Sequence, residues 1–129
     1  MTALTGGCAC GLVRFTATGN PRFAIICQCR ACQRMTGSDH AAQFGHPADA
    51  FTVTGTLGHW ERLSDAGFTV RKHFCPTCGA PVYSTTTRMD DIAMVLAGAL
   101  DDPAAITPTM IVHPENRIPW DSARLEGAA

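Results

Sequence analysis

Several absences bound what this 129-residue chain can be. Its longest apolar run, Ile92 to Leu100, is nine residues broken by Gly98, whereas a membrane-spanning helix needs about twenty, so no transmembrane segment and no membrane partner is expected. The N-terminal Met1-Thr2-Ala3-Leu4-Thr5-Gly6-Gly7 has neither the basic start nor the apolar stretch of a secretory signal, which points to the cytoplasm. Positive charge is scarce and scattered. Ten Lys and Arg against eleven Asp and Glu leave a formal charge of −1 with no basic run, so nucleic acid is not an expected partner. Large apolar side chains are also few. Of 59 hydrophobic residues, 19 are Ala and 7 are Cys, leaving 33 of the types that dominate burial energy. That is a thin core even for one domain over residues 1–129, and a metal staple is the expected remedy.

Helix signals are sparse as well. The one helical turn expected is Arg30–Met35, stopped by Gly37. Short segments rich in β-branched and aromatic residues recur instead: Leu12–Ala17, Phe23–Cys27, Ala41–Phe44, Phe51–Val53, His59–Leu63, Phe68–Phe74, Val82–Thr86, Ile92–Ala97 and Thr109–His113. Mostly bounded by Gly, Pro, Asn or Asp, they predict a mainly β fold of short strands. The tail from Glu115 is too polar to hold a core of its own.

Cysteine, by contrast, is plentiful. The seven fall into three clusters: Cys8-Ala9-Cys10, Cys27-Gln28-Cys29-Arg30-Ala31-Cys32 and Cys75-Pro76-Thr77-Cys78-Gly79. In a reducing compartment an odd number reads as metal ligands or reactive thiols before disulfides. The last cluster has the form of a zinc-ribbon knuckle, in which proline sets a turn and glycine permits a left-handed backbone, so two sulfurs converge on one ion. A structural zinc takes four ligands. Cys8 and Cys10, two apart in an extended segment, project on one face and complete a four-thiolate site with Cys75 and Cys78. The alternative, that these are small buried apolar residues, does not account for the spacing.

Cys27, Cys29 and Cys32 then form a second site with three protein ligands and an open position, the mark of a zinc that meets substrate. A histidine among His40, His46, His59, His73 and His113 is the candidate for closing it. Three thiolates overcompensate the ion's charge, so such a zinc acidifies water weakly and suits the capture of an incoming thiol as thiolate. Two zinc ions held this way add −2 and −1 to the formal charge of −1, taking it to −4.

These residues resemble the glutathione-dependent formaldehyde-activating enzymes, also called the GFA or centromere-protein-V-like family. The resemblance rests on Gly6-Gly7-Cys8-Ala9-Cys10-Gly11, on Cys27-Gln28-Cys29-Arg30-Ala31-Cys32-Gln33-Arg34 with Thr36-Gly37, and on Phe74-Cys75-Pro76-Thr77-Cys78-Gly79, with Asp101-Asp102-Pro103 and Pro119-Trp120 behind them. It implies a β-tent fold of short antiparallel strands with minimal helix, stapled by zinc. It also implies two zinc ions, one structural on Cys8, Cys10, Cys75 and Cys78 and one open on Cys27, Cys29 and Cys32. The activity implied is that of a zinc-dependent carbon-sulfur lyase, which joins glutathione to formaldehyde as S-hydroxymethylglutathione. Family members commonly carry His where this chain has Ala9 and Gln28.

On that reading the thiolate attacks the aldehyde carbon while an acid protonates the forming alkoxide; His40 and His73, each bordering a cysteine cluster, are the candidate acids. Arg30 and Arg34, on one face of the helical turn, are candidates for gripping a substrate carboxylate. Trp60 and Trp120 read as packing residues. Two other classes compete: a non-catalytic zinc module that binds another protein, and a dithiol redox protein using Cys29 with Cys32 or Cys75 with Cys78. The redox reading leaves Cys8, Cys10 and Cys27 without a role. The oligomeric state is open.

Overall fold

The computed structural model describes residues 3–123. Ten strands and one helix follow one another as β1 (Ala3–Gly7), β2 (Arg14–Thr18), β3 (Phe23–Cys27), α1 (Arg30–Thr36), β4 (Ala41–Pro47), β5 (Phe51–Thr54), β6 (Gly58–Leu63), β7 (Thr69–Phe74), β8 (Pro81–Thr86), β9 (Met89–Leu96) and β10 (Met110–Val112). Short 3-10 turns supply the remaining helical residues. The mainly β expectation holds, and no helix among the described residues is long and apolar enough to cross a membrane.

The strands form a three-stranded sheet, β1-β2-β5, and a seven-stranded sheet, β10-β3-β4-β9-β8-β7-β6. All pairings are antiparallel except β10 with β3, which is parallel. Strict alternation in β2 turns Phe15 and Ala17 inward. From the large sheet Phe44, Ala93 and Val95 meet them in the core, with Phe51 and Tyr83 packed at its margin. Burying a side chain such as Phe44, at 0% exposure, is worth about 1.5–3 kcal/mol. β4, interior to the large sheet, is buried along most of its length although it carries Gln43 and His46.

β1 escaped the sequence pattern. It ends in two glycines, poor strand formers, yet it needs one of them. A Cβ at Gly6 would lie 2.3 Å from the Ala99 carbonyl oxygen, where β1 bridges to Leu100.

The large sheet has a second face, turned away from this core. The strand registers place Cys27, Gln43, Met94, Ser84 and Lys72 on it. A smaller apolar cluster, Cys27, Cys32 and Ala41 with Met35, Leu96 and Val112, seats α1 at its edge.

Candidate metal centres and the groove beside one of them

The first centre joins two turns. Cys8 and Cys10 lie between β1 and β2, Cys75 and Cys78 between β7 and β8. Both turns close on a glycine with positive φ, Gly11 at 83° and Gly79 at 78°. A Cβ at either would meet nothing within 4 Å, so it is backbone conformation, not space, that requires glycine. The four Sγ atoms lie within 4.8 Å of one another, with Cys8–Cys10 at 3.6 Å and Cys10–Cys75 at 3.7 Å. No disulfide links them. Tetrahedral ligands with Zn–S near 2.3 Å stand about 3.8 Å apart, so the donor set fits zinc in number, type and spacing. Burial pushes the Cys8 thiol up, but the Val13 N–H, donating at 3.2 Å, and the three other sulfurs bring it down to about 6. Cys10 is pulled down by the Leu12 N–H, yet burial and the protons shared with the same sulfurs raise it to about 11.

The second centre is local. Cys27 ends β3, Cys29 caps α1 by accepting the Cys32 N–H at 3.3 Å, and Cys32 lies in the first turn of that helix. The three Sγ atoms are within 4.8 Å of one another, and no histidine among the described residues joins them. This donor set also fits zinc, with one position left for an external ligand. Gln43, on β4, donates to Cys32 Sγ at 3.4 Å. Buried Gln33 ties the segment down through Nε2, donating to Gln28 O at 2.9 Å and Asn116 O at 3.0 Å. Hydrogen bonds from Cys27 and Cys32 hold the Cys29 thiol far below its ordinary value, and the same sharing pushes Cys27 up.

Cys29 opens onto a groove of about 460 Å³, whose lining includes Arg30, Arg62, Arg88, Met94 and His113. The Arg62 Nε is buried with no partner among the described residues. Beneath the groove runs the outer sheet face, where Lys72 is 6% exposed. Of the two arginines singled out from sequence, Arg30 borders this groove and hydrogen-bonds to the Gln33 side chain; Arg34, exposed on α1, is not part of its lining.

The other candidate residues lie elsewhere. His40 Nδ1 is 3.1 Å from Asp39 Oδ1 and 3.3 Å from Asp121 Oδ2, and it borders a separate cavity of about 620 Å³. Buried Asp121 also accepts from Gln28 Nε2 at 2.9 Å and from the Ala123 N–H at 2.8 Å. His40 is thus wired to the three-cysteine segment through Asp121 and Gln28 without reaching its sulfurs. His73 is on the core-side face of the sheet, stacked on Tyr83 with centroids 4.3 Å apart, and burial lowers its pKa. His46 is fully buried with Nε2 at 2.8 Å from Thr18 O. Trp60 and Trp120 are 48% and 66% exposed, so neither is core. Arg62, Arg88, Lys72 and Gln43 went unnoticed in the sequence; the only hint was a lysine interrupting the apolar alternation of Val70 and Phe74.

The family described as glutathione-dependent formaldehyde-activating enzyme matches residues 3–116. A crystal structure of a Rhodobacter sphaeroides protein is similar in fold, with a TM-score of 0.64 and 18% identity, over 84% of this chain and 99% of that one. No curated protein matches.

Proposed function

This chain belongs to the glutathione-dependent formaldehyde-activating enzyme family, and we propose that it joins a glutathione-like thiol to formaldehyde or a similarly small aldehyde, as a zinc-dependent carbon-sulfur lyase acting in the direction of addition. One observation carries the reading: three cysteines, joined by no fourth ligand among the described residues, open at Cys29 onto a groove bordered by arginines. Glutathione carries two carboxylates, which Arg30, Arg62 and Arg88 on the groove wall would hold. In this reading residues 1–129 form one zinc-binding domain, and the unpaired thiols suit the cytoplasm.

Cys27, Cys29 and Cys32 would hold one zinc; Cys8, Cys10, Cys75 and Cys78 would hold the other, a structural one. Held by Cys27, Cys29 and Cys32, such an ion would act as a Lewis acid that keeps a substrate thiol ionised. The arginines orient the thiol by its carboxylates so that its sulfur faces the aldehyde carbon. A carbon–sulfur bond forms, the carbonyl π pair moves to oxygen, and that oxygen takes a proton, so the addition is redox-neutral. His40 and His73, the acids suggested by sequence, do not border the groove, whereas His113 does. We therefore assign the proton to His113. It is the only described non-glycine residue with positive φ, at 56°, a conformation that costs about 1 kcal/mol and tends to survive at functional positions.

Zinc per chain by elemental analysis, with glutathione binding by calorimetry, tests the reading on wild type and Cys29→Ser. Two zinc ions falling to one, with binding lost, is the expected result. One zinc in both proteins and no binding would leave a zinc module without this activity.

A further inference from the structure

The outer face of the large sheet carries a cation that this chemistry has not yet used. Lys72 sits in the middle of β7, opposite Trp60 on β6 and Ser84 on β8, and Ser84 is opposite Met94 on β9. That row ends at Gly45 on β4, and Gln43, two residues along β4 on the same face, donates its amide to Cys32 Sγ. Only 6% of Lys72 is exposed, and among the described residues no carboxylate is within ion-pair distance of it. The charges it feels are the sulfurs of Cys32, Cys29 and Cys27, and the Arg62 guanidinium. An ammonium buried beside a guanidinium with no acid is expensive unless an anion completes the group.

The charge count of the centre supplies that anion. A divalent ion on three thiolates carries −1, and a fourth thiolate raises this to −2. At the four-cysteine centre Cys10 and Cys78 are exposed, so water spreads the same charge. Cys27 and Cys32 are buried and Cys29 is half-buried, so water meets this centre from the groove alone and spreads its charge less.

We propose that Lys72 is the counter-charge that lets the three-cysteine centre accept a fourth, anionic sulfur, and so selects thiolates over neutral ligands. The inference rests on the function proposed above and makes Lys72 a positioning residue for the thiolate, distinct from Arg62, whose part is the substrate carboxylate. It predicts a discrimination between ligands rather than a general loss of binding.

The test uses full-length protein loaded with cobalt at both centres. It is titrated separately with 2-mercaptoethanol, which has no carboxylate for the arginines, and with imidazole, which is neutral, while the cobalt absorption bands are followed. Lys72→Met keeps the length of the side chain in an apolar setting. It is expected to bind 2-mercaptoethanol at least tenfold more weakly with imidazole affinity unchanged, and Lys72→Arg is expected to restore most of the thiol affinity. Lys72→Gln is the second variant should the methionine protein fold poorly, and the absorption of the four-cysteine centre reports that the fold is intact. Equal loss of both ligands, or no loss of thiol, would overturn the inference while leaving the proposed function standing. A wild-type protein that binds no thiol would overturn both.

Discussion

Cys8, Cys10, Cys75 and Cys78 come from turns at the ends of two different sheets, whereas Cys27, Cys29 and Cys32 come from six consecutive residues. The first centre ties Cys10 to Cys75 across 65 positions and fastens the small sheet to the large one. The second needs only a strand end and one helical turn to bring its sulfurs together, and it draws on the rest of the fold for surroundings: the Gln43 amide, a buried lysine and a groove bordered by arginines. Long-range closure suits a centre for stability. A local cluster in a built environment suits a centre for chemistry, because its ligand count can stay incomplete without the fold depending on it.

The sharpest way to break this contrast is to remove one sulfur from each centre. Structural zinc contributes about 10–16 kcal/mol in small domains, comparable with or above the about 5–15 kcal/mol that holds a whole domain together. Cys75→Ser is therefore expected to abolish the cooperative melt followed by circular dichroism. Cys29→Ser is expected to keep that melt and lose one zinc. If both variants unfolded, the second centre would also be structural.

Graded chelation asks the same question without mutation. Ligand number and burial make opposite forecasts here, since the four-sulfur centre has two exposed cysteines and the three-sulfur centre has buried ones. Three bonds are weaker than four at equilibrium, so the first zinc equivalent removed is expected to leave far-UV dichroism unchanged and to abolish glutathione binding. Dichroism that falls with the first equivalent would reverse the assignment.

Two smaller effects sharpen the contrast. Asp121→Ala strands the buried Gln28 amide and removes one of the two carboxylates beside His40, and hydrogen bonds to a charged group are worth about 1.5–3 kcal/mol each before relaxation. A loss of about 2 kcal/mol in urea unfolding is expected. Burial would raise the Asp121 carboxyl, but the Ala123 N–H, Gln28 and His40 outweigh it and hold the group below the ordinary carboxylate value. Its contribution is thus present at neutral pH and is lost as pH falls through the ordinary carboxylate range to the lowered value, so the wild-type advantage over Asp121→Ala should shrink in acid and not at neutral or alkaline pH. Arg62→Leu is expected to weaken glutathione about tenfold and to leave 2-mercaptoethanol unchanged, the cost of one charge-assisted contact to a carboxylate. Calorimetry with the two thiols checks it, and equal weakening of both would remove Arg62 from carboxylate binding.

Much of the architecture was legible in the chain. The helix expected at Arg30–Met35 is observed at Arg30–Thr36, since Cys29 supplies a side-chain cap and Gly37 a left-handed stop. The strands at Phe23–Cys27, His59–Leu63 and Phe68–Phe74 appear within a residue or so of their expected bounds. β1 was not legible because its evidence is a close approach to Ala99 rather than a hydrophobic period, and β10 gave no sign that it would pair parallel to β3. For the candidate site, the cysteines announced themselves by spacing, while Arg62, Arg88 and Lys72 carry no local motif. They come together only because β6, β7 and β8 lie side by side and turn one face toward α1.

Ligand type and spacing are covalent facts: a Cys-x-x-Cys turn closed by glycine converges on an ion wherever it sits in a fold, and an odd cysteine count leaves a site short. From this chain alone followed the clustering of the sulfurs, the mainly β character and the shortage of large apolar residues. Which face His73 occupies, what Asp121 ties together, and where an ammonium is buried were decided only by strand register and sheet packing. Placement on one face or the other turns on a single residue of register between strands far apart in sequence, and that is settled only when the whole sheet closes over its core.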